Sequence, residues 1–177
     1  MQPSFDLRIK TMNKALAEVV LPAIDPANKA AAEQLQLVIG SLGLIQEQMD
    51  YAHWFEIVDG RSMIAMAEKV ASTVGKTLGS AVAAAIASVK DVGSRHDVTL
   101  TQIRDANYAL RESLSEAIGL ILGDADAETA KAVSRIVIAM TGDQTSRERA
   151  FVAKTGFDVF PDSLKSIPDA LRASPAA

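Results

Sequence analysis

The chain contains no cysteine. That removes a disulfide framework, a thiolate nucleophile and every cysteine-ligated zinc or iron–sulfur centre. Histidine is scarce as well, with only His53 and His96 available as imidazoles. Aromatic residues make up 5% of the chain and hydrophobic residues 49%, so the apolar content is mostly Ala, Val, Leu and Ile. Such a composition suits packed helices. Positive charge is in deficit: 18 Lys and Arg against 22 Asp and Glu give a net charge of −4. Phosphate backbones and anionic lipid surfaces are recognised by clustered cations, so neither nucleic acid nor an anionic membrane is an expected partner. Long apolar runs are missing too. The longest uncharged stretches, residues 34–46 and 77–89, are thirteen residues each, against about 18 for a membrane span. The N-terminal MQPSFDLRIK lacks the apolar centre of a signal peptide. Period-2 alternation and hairpin turn signals are absent.

What remains is helical. The 177 residues are expected to form one cytoplasmic domain, long enough to bury a sizeable core. The expected fold is all-α: an up-and-down bundle of four long helices, with a shorter N-terminal helix and a packed, proline-containing C-terminal tail.

A first helix is expected over residues 5–21, with Ser4 as N-cap. Phe5, Ile9, Met12, Leu16 and Val19 form one stripe along it. Pro22 should kink or end it. A second helix, residues 25–55, opens with Asp25 as N-cap and Pro26 at the first helical position. Ala31, Leu35, Val38, Leu42, Ile45, Met49 and Ala52 alternate spacings of four and three, a seam suited to near-parallel packing. Gly40 and Gly43 within it point to a closely approaching backbone. Asp59-Gly60 supplies the expected break.

The third helix is expected over residues 61–90. A small-residue row, Ala71, Gly75, Gly79, Ala83 and Ala87, runs beside an aliphatic row. It reads as a groove for a closely packed helix, within the protomer or across a dimer. After the polar break at residues 91–98, Thr99 and Gln102 form a capping-box pattern. The fourth helix carries Ile103, Asn107, Leu110, Leu114, Ala117 and Ile121 on one stripe to a stop at Gly123. Asn107 stands on the seam, where a buried amide needs partners and can fix helix register. A fifth helix starts near Ala127, its seam running through Val133, Val137 and Met140 to Gln144 and Arg147. Gly142-Asp143 is expected to interrupt it, and Gly156 to end a further piece. The tail, residues 157–177, should pack back on its own bundle or a neighbouring subunit.

Templates for chemistry are met poorly. A di-iron bundle needs two Glu-x-x-His motifs, and the nearest match is Asp50-Tyr51-Ala52-His53 alone. Gly75-Lys76-Thr77 lacks the preceding glycine and leading strand of a phosphate loop. No strand–Ser–helix elbow occurs. Arg95-His96-Asp97 reads as a solvated turn, and Arg147-Glu148-Arg149 as a solvated face. No catalytic residue, metal site or cofactor is expected, and an enzyme is the less favoured reading.

Two functions fit. The first is a non-enzymatic accessory or interaction protein that associates with itself, through a groove of Ala71, Gly75, Gly79 and Ala83. The alternative is binding of a small apolar ligand, acyl or aromatic, in a pocket between helices. Met49, Asp50, His53, Trp54, Met63 and Met66 would line that pocket, since Met adapts to irregular ligands.

Overall fold

The computed structural model describes residues 4–155 and 158–174. The expectations placed on Gly156, Phe157 and Pro175 lie outside these residues. The described residues form helices, turns and loops with no strand, so the protein is all-α. Its contacts divide it into two compact units: Met1–Tyr51 with Phe151–Leu164, and Ala52–Ala150 with Lys165–Ala177.

The first unit begins with α1, Phe5–Ala15, where the Ser4 hydroxyl accepts the Leu7 amide at 3.2 Å. Pro22 is felt upstream. The helix widens into a π turn over Leu16–Val20, where the Leu21 amide bonds the Leu16 carbonyl, and helical backbone ends at Ala23. A proline lacks the amide hydrogen and crowds the carbonyl four residues back; a wider turn accommodates both. Asp25 does not cap the next helix. It folds a turn instead, accepting the Ala27 amide at 2.9 Å, and Asn28 becomes the N-cap of α2, Lys29–Met49. Asp6 accepts from Gln46 Nε2 at 2.5 Å, and Asn13 stands opposite Gly43, so α1 and α2 run antiparallel.

The expected helix over 25–55 is therefore two helices, separated by a turn at Asp50 and Tyr51. Its seam is also rotated. Leu35, Ile39, Leu42 and Gln46 are half-buried, whereas Val38 and Ile45 are exposed. The inward face follows the polar contacts to α1, which turn α2 by about one residue from the purely apolar pattern.

The second unit contains α3, Ala52–Val74; α4, Ser80–Ser94; α5, Leu100–Asp124; α6, Ala127–Phe151, up to Ala150; and α7, Ile167–Arg172. Asp59-Gly60 is no break: both lie inside α3 and are buried. A Cβ on Gly60 would meet Asn107 Oδ1 at 2.5 Å and Val89 Cγ1 at 2.8 Å. The glycine is there so that α4 and α5 can approach. The expected helix over 61–90 breaks instead at Gly75 and Gly79, with φ of +64° and +97°. Those angles lie in the left-handed region that side chains rarely adopt, so the two glycines form the turn rather than a groove.

Thr99 and Gln102 do make both bonds of the capping box. Gly123 is helical, and the stop comes after Asp124. Gly142 and Asp143 do not interrupt α6. Met63, Val70, Val82, Leu110, Leu114, Ile121 and Val133 form the core, joined by half-buried Ile136 and Met140. The last helix buries Ile167, Ala170 and Leu171.

Two outcomes follow from these local structures. Gly60→Ala overfills the contact with Asn107 and Val89 and should lower unfolding free energy by about 1–3 kcal/mol in a urea titration. Asp126 opens α6, and bonds from the Thr129 amide and hydroxyl, then the Glu128 amide, hold its carboxyl below the ordinary carboxylate value. A depressed folded value stabilises above the unfolded value, and that contribution is lost as pH falls through the folded one. Asp126→Ala should therefore melt lower than the parent at neutral pH, with the difference fading in strong acid.

Candidate functional site

The second unit carries charge in its interior. Arg147, on α6, is 1% exposed, and Asp59, on α3, is 3% exposed. They meet through Arg147 Nη2 and Asp59 Oδ1 at 3.0 Å. The other Asp59 oxygen accepts from Arg111 Nη2, on α5, at 2.7 Å. Arg147 Nη1 donates to Asp143, one turn earlier on α6, and to Ser174 Oγ at 3.1 Å. Ser174 Oγ in turn donates to Asp143 Oδ2 at 3.0 Å and lies 3.5 Å from the buried Ser62 Oγ. Three long helices and the C-terminal segment are thus tied at one guanidinium. Arg147 Nε is buried without a hydrogen-bond partner. Burial pushes the Asp59 carboxyl above its ordinary value, and Arg111 and Arg147 pull it back. One turn before Asp59, Glu56 accepts from Arg104 Nε at 2.9 Å and from Asn107 Nδ2 at 3.0 Å. Asn107 also donates to the Glu56 carbonyl at 2.9 Å. The seam asparagine is buried, and its Nδ2 finds partners there, while its Oδ1 has none.

This corrects the reading of Arg147-Glu148-Arg149 as a solvated face. Glu148 is exposed, but Arg147 is among the most buried large side chains. The signal was present in its periodicity: Arg147 occupies a seam position, and Asp143 lies four residues before it, where a helical partner belongs. Asp59 gave no comparable sign, because it stood beside a glycine read as a break.

The residues proposed for a ligand pocket are dispersed. Met49 and Asp50 belong to the first unit, and His53, Trp54, Met63 and Met66 to the second. His53 is exposed; Trp54 is half-buried, with the Arg172 guanidinium 5.9 Å above its ring. Met63 is core, whereas Met66 reaches a cleft. Of the proposed groove, Ala71 ends up on α3, Gly75 and Gly79 flank the connecting turn, and Ala83 lies exposed on α4. The four do not share a helix face. Arg95 pairs with Asp97 through two bonds of 2.9 Å at the exposed end of α4.

Among the described residues, no group of three or more His, Asp or Glu is placed to hold a metal ion. Among the described residues, no helix is long and apolar enough to cross a membrane. The Arg147 network includes no imidazole, and its bonds clamp α3, α5, α6 and the C-terminal segment together. One cleft of about 460 Å³ lies between α3 and α6 and reaches Ser62 and Asp143 of this network, and one of about 510 Å³ lies in the first unit between α2 and the turn at residues 153–155. No protein-family model matches the chain, nor does any curated protein or solved structure.

The clamp has a measurable consequence. Arg147→Met leaves Asp59 and Asp143 without their shared partner and should cost about 3–5 kcal/mol in denaturant unfolding. Adding Asp59→Leu should recover part of that loss; simple additivity of the two changes would show that the residues are not coupled.

Proposed function

We propose that this protein works by association with a second copy of itself, through the first unit, and that its role is that of a non-enzymatic accessory or interaction protein. The observation that carries the reading is an imbalance of burial. Among the described residues of the first unit, Ile9 is the only buried hydrophobic side chain. Phe5, Met12 and Val19 stand exposed at intervals of seven along α1 and its π turn, and Val38 and Ile45 repeat that interval on α2. On each helix these residues adjoin the face that packs within the hairpin. The apolar stripe is wider than one partner helix covers.

A wide stripe belongs to a bundle in which each helix has two neighbours. Two antiparallel hairpins packed about a two-fold axis supply those neighbours, and the same five-residue patch is used on both copies. Burial of one such side chain contributes about 1.5–3 kcal/mol. Five per protomer bring a gross gain of the same order as the ~4–15 kcal/mol cost of association. Assembly in the micromolar range fits that balance.

Sedimentation velocity at micromolar concentration should show a dimer or larger species. The double variant Met12→Lys, Val38→Lys should sediment as a monomer while keeping its helical circular dichroism. A parent protein that is monomeric under those conditions would sink the reading.

A further inference from the structure

The cleft between α3 and α6 has an order along its length. Ser62, Ala65, Met66 and Lys69 lie on one face of α3, and Arg135, Ile136, Ala139, Met140 and Asp143 line it from α6. Asp59 pairs with Arg147, and Ser174 bridges Ser62 to Asp143, so the two helices run antiparallel here. One end of the cleft is therefore the Ser62–Asp143 end, closed by the clamp. The other end holds Lys69 and Arg135. Between them the walls are apolar, and Ala65 and Ala139 leave the width.

The charge at the open end is unusual for this chain. The protein carries a net charge of −4, yet two cations on different helices flank the same apolar trough. Among the described residues neither Lys69 nor Arg135 has an ion-pair partner, although nine other Lys and Arg side chains do. An apolar cavity with a few converging charges at one end is the form of a site for an amphipathic small molecule, and its volume lies in the usual range of about 300–1,000 Å³. From Ser62 to Lys69 the helix rises about 10 Å. That is room for an extended chain of medium length. A longer one would run into the Asp143 carboxylate.

We propose that the α3–α6 cleft binds a medium-chain aliphatic carboxylate, with its headgroup between Lys69 and Arg135 and its chain over Met66, Ile136 and Met140. The cations fix polarity, because a carboxylate placed at the far end would face Asp143. The clamp fixes length. The site lies wholly within the second unit and does not depend on self-association, so a monomeric protein binds equally well.

Octanoate, octanol and octyltrimethylammonium are the probes, titrated into the full chain by calorimetry and followed by methyl NMR of methionine. Octanoate should bind saturably, one per chain, and shift the Met66 and Met140 methyl signals while leaving Met12 unmoved. Octanol and the cationic analogue should bind at least tenfold more weakly. Lys69→Gln with Arg135→Gln should weaken octanoate at least tenfold. Ala139→Trp, which fills the cleft, should abolish binding. Circular dichroism melts establish that each variant is folded. Lack of saturable octanoate binding, equal binding of octanol, unchanged affinity in the folded double glutamine variant, or shifts confined to Met12 would each overturn the proposal.

Discussion

A guanidinium that is almost wholly withdrawn from water cannot be left with one partner. Removing an ion from water costs several kcal/mol, and only a near-complete set of charge-assisted bonds offsets it. Arg147 goes most of the way by drawing on Asp59 from α3, Asp143 from its own helix and Ser174 from beyond α7, with Nε left unpartnered. Asp59 is in turn held by Arg111 of α5. None of these bonds is available unless the helices are at the right separation and register. The packing of Val70, Leu110, Leu114 and Val133 gives the second unit its cohesion, but many sliding arrangements would bury the same apolar area. The ionic clamp distinguishes among them. Asn107 and Glu56 do the same one turn away, and Gly60 clears the space into which Asn107 fits.

The first unit has no such device and little core. Its polar contacts, Asp6 with Gln46 and Lys154 with Glu47, are at or near the surface, where ion pairs and hydrogen bonds contribute little. Its apolar residues are as numerous as a bundle helix requires, yet Phe5, Met12, Val19, Val38 and Ile45 are exposed. The chain thus contains one well-specified unit and another whose sequence asks for more contact than its own hairpin provides. That contrast is what the proposal of self-association rests on.

How much was legible in the residues follows from how local each cause is. Ser4 and the Thr99–Gln102 box act within one turn, and both were readable as written. Asn107 was readable as a seam residue that would need partners if buried, because its position in the stripe is a local property too. The failures are of another kind. Gly60 looks like a breaker, but its meaning depends on Asn107 and Val89, which arrive from other helices. Gly75 and Gly79 look like members of a packing row, because spacing records which face a residue would occupy and not the sign of φ. Asp50-Tyr51 divides two helices without any strong breaker. The seam of α2 slipped by one residue because Gln46, a polar residue, took an inward place to reach Asp6.

Arg147 joins these cases. A charge on an apolar stripe is usually read as the end of the stripe, and the reading of residues 147–149 as solvated rested on that habit. The alternative is that the stripe continues and the charge is met partly from outside the helix, by an acid on another element and a hydroxyl beside the helix's own Asp143. Asp59 and Ser174 are 88 and 27 residues away. Sequence spacing cannot relate them, but the chemistry of one buried guanidinium can, since it demands partners that its own helix does not supply in full. The same demand explains where the α3–α6 cleft ends. The helices are drawn together at Asp59 and Arg147, and further along, alanines at 65 and 139 fill too little volume to close the gap. A tight polar contact at one end and small side chains beyond it leave a tapered trough, and only its open end carries unpaired positive charge.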